Sequence, residues 1–271
     1  MSTATGTELL LSIDLEDVRD SLPDGERYRE RVPAVTGRLL ALLSEAQAKI
    51  TFFVTGTVAT RYPSLIAEIA AAGHELACHS HAHQPLETHT PASFAADLRR
   101  NLDALGGEGI RGFRAPVLSL TADTRWVYPL LAQHGLTYSS SVLPARNPLY
   151  GWPRFGTAPR RMAGVVEIPV SVARVLGLTL PFASGVYFRV LPFRAVRRAC
   201  RRSAGAIVSY LHPYDFDPGQ ERFLHPGIRG NRLYNWLMYC GRAQALDRLR
   251  ALLGEGYRVR RYRDHVEALP P

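Results

Sequence analysis

The sequence predicts an α/β fold, an irregular barrel of seven or eight strand–helix units in a single domain over residues 1–271. Three observations predict it. Short, nearly wholly apolar segments alternate with segments of helical period, the pattern of a parallel sheet with right-handed crossovers. Polar residues stand where successive strands end: Asp14 and Glu16, His79 and His83, Arg114, and His212. In such barrels the site is made by the loops that follow the strands. Finally, 271 residues of which 46% are apolar are ample for one sizeable core.

Glu8 to Ile13 reads as a strand buried on both faces. Pro33 to Ala46 carries Val35, Leu39, Leu42 and Leu43 at helical spacing, with Pro33 suited to a first turn. Lys49 to Val54 is the second strand. Tyr62 to Ala72 is a helix closed by Gly73, and His74 to Cys78 is the third strand. Pro91 to Leu105 is a helix before Gly106-Gly107, and Arg111 to Arg114 a fourth strand. Thr121 to His134 reads as a helix capped by Thr121, followed by a strand from Tyr138 to Leu143. Residues 144–164, rich in Pro, Gly and Arg, read as a long loop. Val165 to Pro169 is a strand, Pro192 to Arg202 a helix, and Ala206 to Leu211 a strand. Leu233 to Leu253 is helical with an interruption near Gly241, and Tyr257 to Arg260 is a last short strand.

The net charge of +9 comes from 33 Lys and Arg, of which only Lys49 is lysine. Such a balance suits phosphates, nucleotides or an acidic membrane surface, or simply a solvated arginine-rich surface. Cys78, Cys200 and Cys240 are odd in number and widely spaced, which implies a reducing compartment rather than a disulfide framework. Residues 1–8 have no basic stretch, Leu9-Leu10-Leu11 is too short for a leader's apolar core, and no apolar run approaches the ~18 residues of a membrane span. A cytoplasmic protein is expected.

The run His79-Ser80-His81-Ala82-His83 places three imidazoles within five residues. Neutral imidazole binds zinc and similar ions, and a helical turn starting at His79 would bring His79 and His83, spaced i, i+4, to one side. His81 would point elsewhere. A polar turn is the plain alternative. Asp14-Leu15-Glu16-Asp17 puts three carboxylates at the end of a buried strand, which is expensive unless something positive faces them. Alternation sets Asp14 and Glu16 on one face, with Asp17 turned away. Cys78 reads as core, and His81, His89 and His225 as polar loop residues.

His79-Ser80-x-x-His83, Phe113-Arg114-Ala115-Pro116 and Leu211-His212 resemble motifs of the polysaccharide deacetylase family, carbohydrate esterase family 4, and the resemblance spans nearly the whole chain. It implies a metal-dependent N-deacetylase that releases acetate from an N-acetylated amino sugar. The resemblance assigns the divalent metal to His79, His83 and Glu16, with Asp17 as the rival to Glu16. It also makes Asp14 the catalytic base positioned by Arg114, His212 the acid for the leaving amine, and the segment Pro116-Val117 the oxyanion side through the Val117 N–H. Zinc is the first expectation, with cobalt, nickel, manganese or iron as alternatives. The first motif departs from two adjacent aspartates before glycine, and Val117 replaces a common tyrosine. Related sequences often carry an aspartate near Ser139-Ser140-Ser141, so the group that supports His212 is left open. Alternatives are a non-catalytic sugar-binding relative or a hydrolase of another non-peptide C–N bond.

Arg194, Arg197, Arg198, Arg201 and Arg202 form a basic stripe along one helical face. Solvated surface is its plain reading. The sharper expectation is that it meets phosphates, since arginine forks match phosphate oxygens. The expected partner is then a carbohydrate on a nucleotide or polyprenyl diphosphate, with peripheral membrane contact, no nucleic acid, and an oligomeric state left open.

Overall fold

A computed structural model describes residues 6–147, 150–175, 177–225, 228 and 230–270. Strand β1 (Glu8–Leu15) lies at the centre, and Leu9, Leu10, Leu11, Ile13 and Leu15 are fully buried. α1 (Val32–Glu45) has proline in its first turn and lays Val35, Leu39, Leu42 and Leu43 on the core. β2 (Thr51–Val54) is followed by a short α2 (Gly56–Arg61), which Thr55 caps, and by α3 (Pro63–Ala71). β3 (Glu75–Cys78) leads to the histidine run, and α4 (Pro91–Ala104) starts on a capping box between Thr90 and Ser93. Then come β4 (Gly112–Phe113), α5 (Val127–Gln133) and β5 (Tyr138–Ser139).

The second half contributes β6 (Arg160–Met162), β7 (Val165–Glu167), β8 (Ala173–Val175) and β9 (Leu178–Leu180). It continues with α6 (Gly185–Val190), α7 (Phe193–Arg201), β10 (Ile207–Leu211), α8 (Arg232–Leu237), α9 (Arg242–Leu253), β11 (Arg258–Val259) and α10 (Tyr262–Glu267). Among the described residues the main sheet runs β10-β1-β2-β3-β4-β5-β7-β6, with β11 beside β1, and every pair is parallel except β6–β7. The sheet curls until the chain after β7 reaches β10: Val170 N donates to Val142 O (2.9 Å) and Ser171 N to Val208 O (3.1 Å). This is the α/β barrel-type architecture, with its strand C-ends at one rim.

Several elements differ from the sequence reading. The expected loop 144–164 holds β6, joined to β7 by a two-residue turn at Ala163-Gly164, both at positive φ. An alanine at the first turn position masks a signal that Asn-Gly would have made plain. The helix expected from Thr121 begins only at Val127, because Thr121 and Thr124 bond within their own turn (Thr121 N to Thr124 Oγ1, 2.9 Å). The break near Gly241 is present. That residue has φ +73°, and a side chain there would meet the Arg189 carbonyl. Arg111–Arg114 and Tyr138–Leu143 shrink to two-residue strands, and α2, α6, α10 and the β8–β9 hairpin were not legible.

Candidate active site

Asp14 leaves the end of β1 beside Arg114, which follows β4: Nη1 lies 2.5 Å from Asp14 Oδ1. Burial of an arginine is costly unless every donor finds an acceptor, and here they do. Nη1 also donates to Ser12 Oγ (2.6 Å), Nε to Ser140 O (2.7 Å), and Nη2 to Ser140 Oγ (2.9 Å) and Tyr262 Oη (3.0 Å). The guanidinium carbon sits 4.0 Å over the Phe53 ring. Asp14 Oδ1 is thereby held in place, and Oδ2 faces His79 Nε2 (3.9 Å) and His212 Nε2 (4.0 Å).

The histidines converge, though not on a helical turn. Residues 79–85 are irregular, with Ser80 at φ +66° and His83 at φ +54°. Asp97 on α4 imposes this shape by accepting from Ser80 Oγ (2.7 Å), His81 N (2.7 Å) and Ala82 N (3.1 Å). His79 Nδ1 lies 2.9 Å from the Arg114 carbonyl. A carbonyl only accepts, so Nδ1 carries the proton and Nε2 turns its lone pair to the site. Burial pushes His79 down to about 4, which keeps it neutral.

Glu16, His79 and His83 offer ligand atoms within 4.8 Å of one another, a set of one oxygen and two nitrogens. Glu16 Oε2 and His83 Nε2 are 2.5 Å apart, a contact between two lone-pair groups that requires a proton or a cation between them. Burial alone would raise Glu16, but the charge and hydrogen bond of His83, then the charge of His212, hold it well below the usual carboxylate range. The set therefore fits a divalent ion of the kind that takes imidazole and carboxylate ligands. Asp17 does not belong to it. Its carboxylate caps residues 18–21 and is held by Arg19 (2.7 Å) and Arg61 (3.3 Å), so the rival to Glu16 is occupied elsewhere.

His212 follows β10, and its Nδ1 lies 3.0 Å from Asp215 Oδ2. Asp215 is fully buried and pairs with Arg189 Nε on α6 (2.7 Å). This is the support that the sequence reading sought near Ser139-Ser140-Ser141. Those serines instead hold Arg114 and Ala115 N (2.8 Å from Ser141 Oγ). The missed signal was His212-Pro-Tyr-Asp215, an i, i+3 pair on one tight turn. Burial disfavours a charged His212, yet the hydrogen bond and charge of Asp215, then Glu16 and Asp14, push it up to about 9. Asp215→Asn removes that charge, so the His212 pKa falls toward its ordinary value near 6.5. An acid active only while protonated then loses its proton at lower pH. The alkaline limb of the kcat profile should move down by ~1–2 units relative to the parent protein. Matched pH–rate profiles, with melting curves to confirm folding, test this. An unmoved limb removes Asp215 from the proton path.

Val117 stands in the left-handed region (φ +49°), as does Leu118 (φ +55°), unusual for a β-branched side chain. It is exposed, and among the described residues its N–H makes no hydrogen bond, while Pro116 begins the short 3-10 turn that carries it. His81 lies against Gly56, away from the cluster. His225 is no simple loop residue. It is buried against Tyr214 (5.8 Å), whose ring stacks on His212 at 4.5 Å. Cys78 is core.

A fixed carboxylate–arginine pair, a two-histidine-and-carboxylate cluster and a carboxylate-backed histidine stand together on one rim of the α/β barrel. Residues 21–139 match the family polysaccharide deacetylase, and residues 140–265 match a domain of unknown function, DUF3473. The chain thus carries a segment similar to the polysaccharide deacetylase family, followed by one similar to DUF3473. Among solved structures it is similar to a candidate polysaccharide deacetylase from Mycobacterium smegmatis at 23% identity, covering 100% of this chain and 95% of that one with TM-score 0.62. A family 4 carbohydrate esterase from Streptomyces lividans, in complex with acetate, is 18% identical over 94% of this chain and 92% of that one, TM-score 0.53. A CE4 family pseudoenzyme from Bacillus anthracis is 12% identical over 97% of this chain and 66% of that one, TM-score 0.53. These likenesses establish the fold. One of them is a pseudoenzyme, so the fold by itself does not confer activity.

Proposed function

We propose that this chain is a metal-dependent N-deacetylase of an N-acetylated amino sugar, in which residues 1–271 act as one catalytic domain. The observation that carries it is the convergence of Asp14, Glu16, His79, His83, Arg114 and His212 on one rim. These residues come from before, within and after the segment matched as polysaccharide deacetylase. Glu16, His79 and His83 would hold a divalent ion, zinc by preference of the donor set. Bound there, such an ion supplies Lewis acidity and a more acidic water.

The chain's own groups supply the rest. Asp14 takes a proton from the water that attacks the acetyl carbon, and Arg114 holds its other oxygen so that the acceptor points one way. The Val117 N–H donates to the oxygen as it becomes an oxyanion, the backbone being already turned for it. His212, kept charged by Asp215, gives its proton to the nitrogen as the C–N bond breaks. Acetate and a free amine leave. Acetate release from a panel of N-acetyl sugars, beside elemental analysis of the purified protein, tests this reading. A protein that binds these sugars without releasing acetate would be the sugar-binding relative instead.

The favoured substrate carries a diphosphate, on a nucleotide or a polyprenyl chain, met in the cytoplasm at or near a membrane surface. The support is the set of exposed arginines together with three free cysteines. The stripe on α7 divides, however. Arg197 and Arg201 share Glu255, so they are partly neutralised. Arg194, Arg198 and Arg202 are exposed and make no ion pair among the described residues. Charged substrates should therefore be turned over better than neutral oligosaccharides, and raising salt should erode the difference, since ~0.1 M salt screens exposed charges beyond ~10 Å. Rates at two ionic strengths test it. Salt-insensitive, equal rates on neutral oligosaccharides remove the diphosphate.

A further inference from the structure

Away from the rim, a groove of about 980 Å³ lies at the seam where the chain after β7 meets β10. None of the rim residues lines it. Its floor is apolar, formed by Val172, Phe182, Ala199 and Leu269 among others. Its edge is cationic: Arg174 comes from the β8–β9 hairpin, and Arg198 and Arg202 from the end of α7. All three guanidinium groups belong to exposed residues, and no ion pair to any of them exists among the described residues. No acidic residue lines the groove among the described residues. Its one further titratable group, His265, is already held by Glu8 (2.6 Å).

An apolar trough edged by three free arginines is complementary to a particular kind of molecule. The trough is of the size that takes a small organic ligand and would accept a hydrocarbon chain. The arginines come from two different elements and can fork onto the oxygens of a phosphate at its end. A free phosphate would leave the trough empty, and a cationic amphiphile would meet the arginines with the wrong sign. We propose that this groove binds a single-chain lipid phosphate, its chain along the floor and its phosphate between Arg174, Arg198 and Arg202. The proposal does not rest on the deacetylase reading, and its test reads binding alone.

The test is equilibrium binding of dodecyl phosphate to the full chain, below the concentration at which it forms micelles. Inorganic phosphate, dodecanol and dodecyltrimethylammonium are run beside it. Dodecyl phosphate should bind saturably and at least about tenfold more tightly than each of the three, a difference of ~1.4 kcal/mol or more. Arg198→Glu with Arg202→Glu should weaken it by at least about tenfold, by reversing charge at exposed positions. Ala204→Trp, also at an exposed position lining the groove, should weaken it by filling the trough. Inorganic phosphate binding as tightly as dodecyl phosphate would reduce the site to a plain anion site and overturn the lipid. Equal binding of the cationic amphiphile, no saturable binding, or binding unchanged by both variants would overturn the groove.

Discussion

His79→Ala and His83→Ala proteins should lose their divalent ion and their activity while keeping their fold. Each contributes one of the three ligand atoms that lie within 4.8 Å of one another. A two-ligand remnant of Glu16 and one imidazole binds such ions far more weakly than three converging donors. Even loss of a group that only orients a ligand costs ~10–100-fold in metal affinity or activity, so loss of a ligand itself should exceed that. The fold should survive, because the shape of the 79–83 run is imposed by Asp97 and Asn101 rather than by the imidazoles. Asn101 Oδ1 accepts from His79 N (3.1 Å) and its Nδ2 donates to Val54 O (3.1 Å), contacts that alanine at 79 retains. Elemental analysis of dialysed proteins, with circular dichroism alongside, gives the result. Unchanged metal content in both variants would remove the site.

What the chain disclosed in advance was the rim, because strand C-ends are readable. β1 is a run of buried leucine and isoleucine that stops at Asp14, and β10 stops at His212. A polar residue directly after such a run has few places to go in a barrel. Less legible was whatever depends on a turn's exact dihedrals or on a distant partner. The left-handed backbone at Ser80, His83 and Val117 has no glycine to announce it. The grip on Arg114 comes from Tyr262, 148 residues away on a helix that the sequence did not suggest. Asp215 stood three residues after His212 in plain view. Its meaning needed the turn that brings its carboxylate back to Nδ1, and it needed Arg189 from α6 to keep it ionised. Burial works against Asp215's charge, and that arginine with His212 more than reverses it. Asp17 shows the opposite case. Chemically it could have been a ligand, and only Arg19 and Arg61, drawn to it from two elements, exclude it.

Asp14→Asn should cut turnover by about 10²–10⁴-fold, the contribution usual for a positioned proton acceptor, and leave the metal in place. The substitution keeps the side chain's shape and its reach toward His79 Nε2 (3.9 Å) and His212 Nε2 (4.0 Å), while removing the proton acceptor. It also leaves Arg114 without its carboxylate in a fully buried site, where breaking one side of an ion pair costs ~3–5 kcal/mol. Ser12, Ser140 and Tyr262 still accept from the guanidinium, so the loss should fall at the low end of that range. Rates must therefore be taken per folded molecule, well below the melting temperature. Glu16→Gln is the companion measurement. It sits 2.5 Å from His83 rather than on Arg114, so its loss should empty the metal site at little cost to the Asp14–Arg114 pair. The two variants should differ in kind, one metal-loaded and slow, the other metal-poor. If Asp14→Asn empties the site and Glu16→Gln does not, the two roles are exchanged. If both retain metal and turn over at the parental rate, neither carboxylate takes part in the reaction.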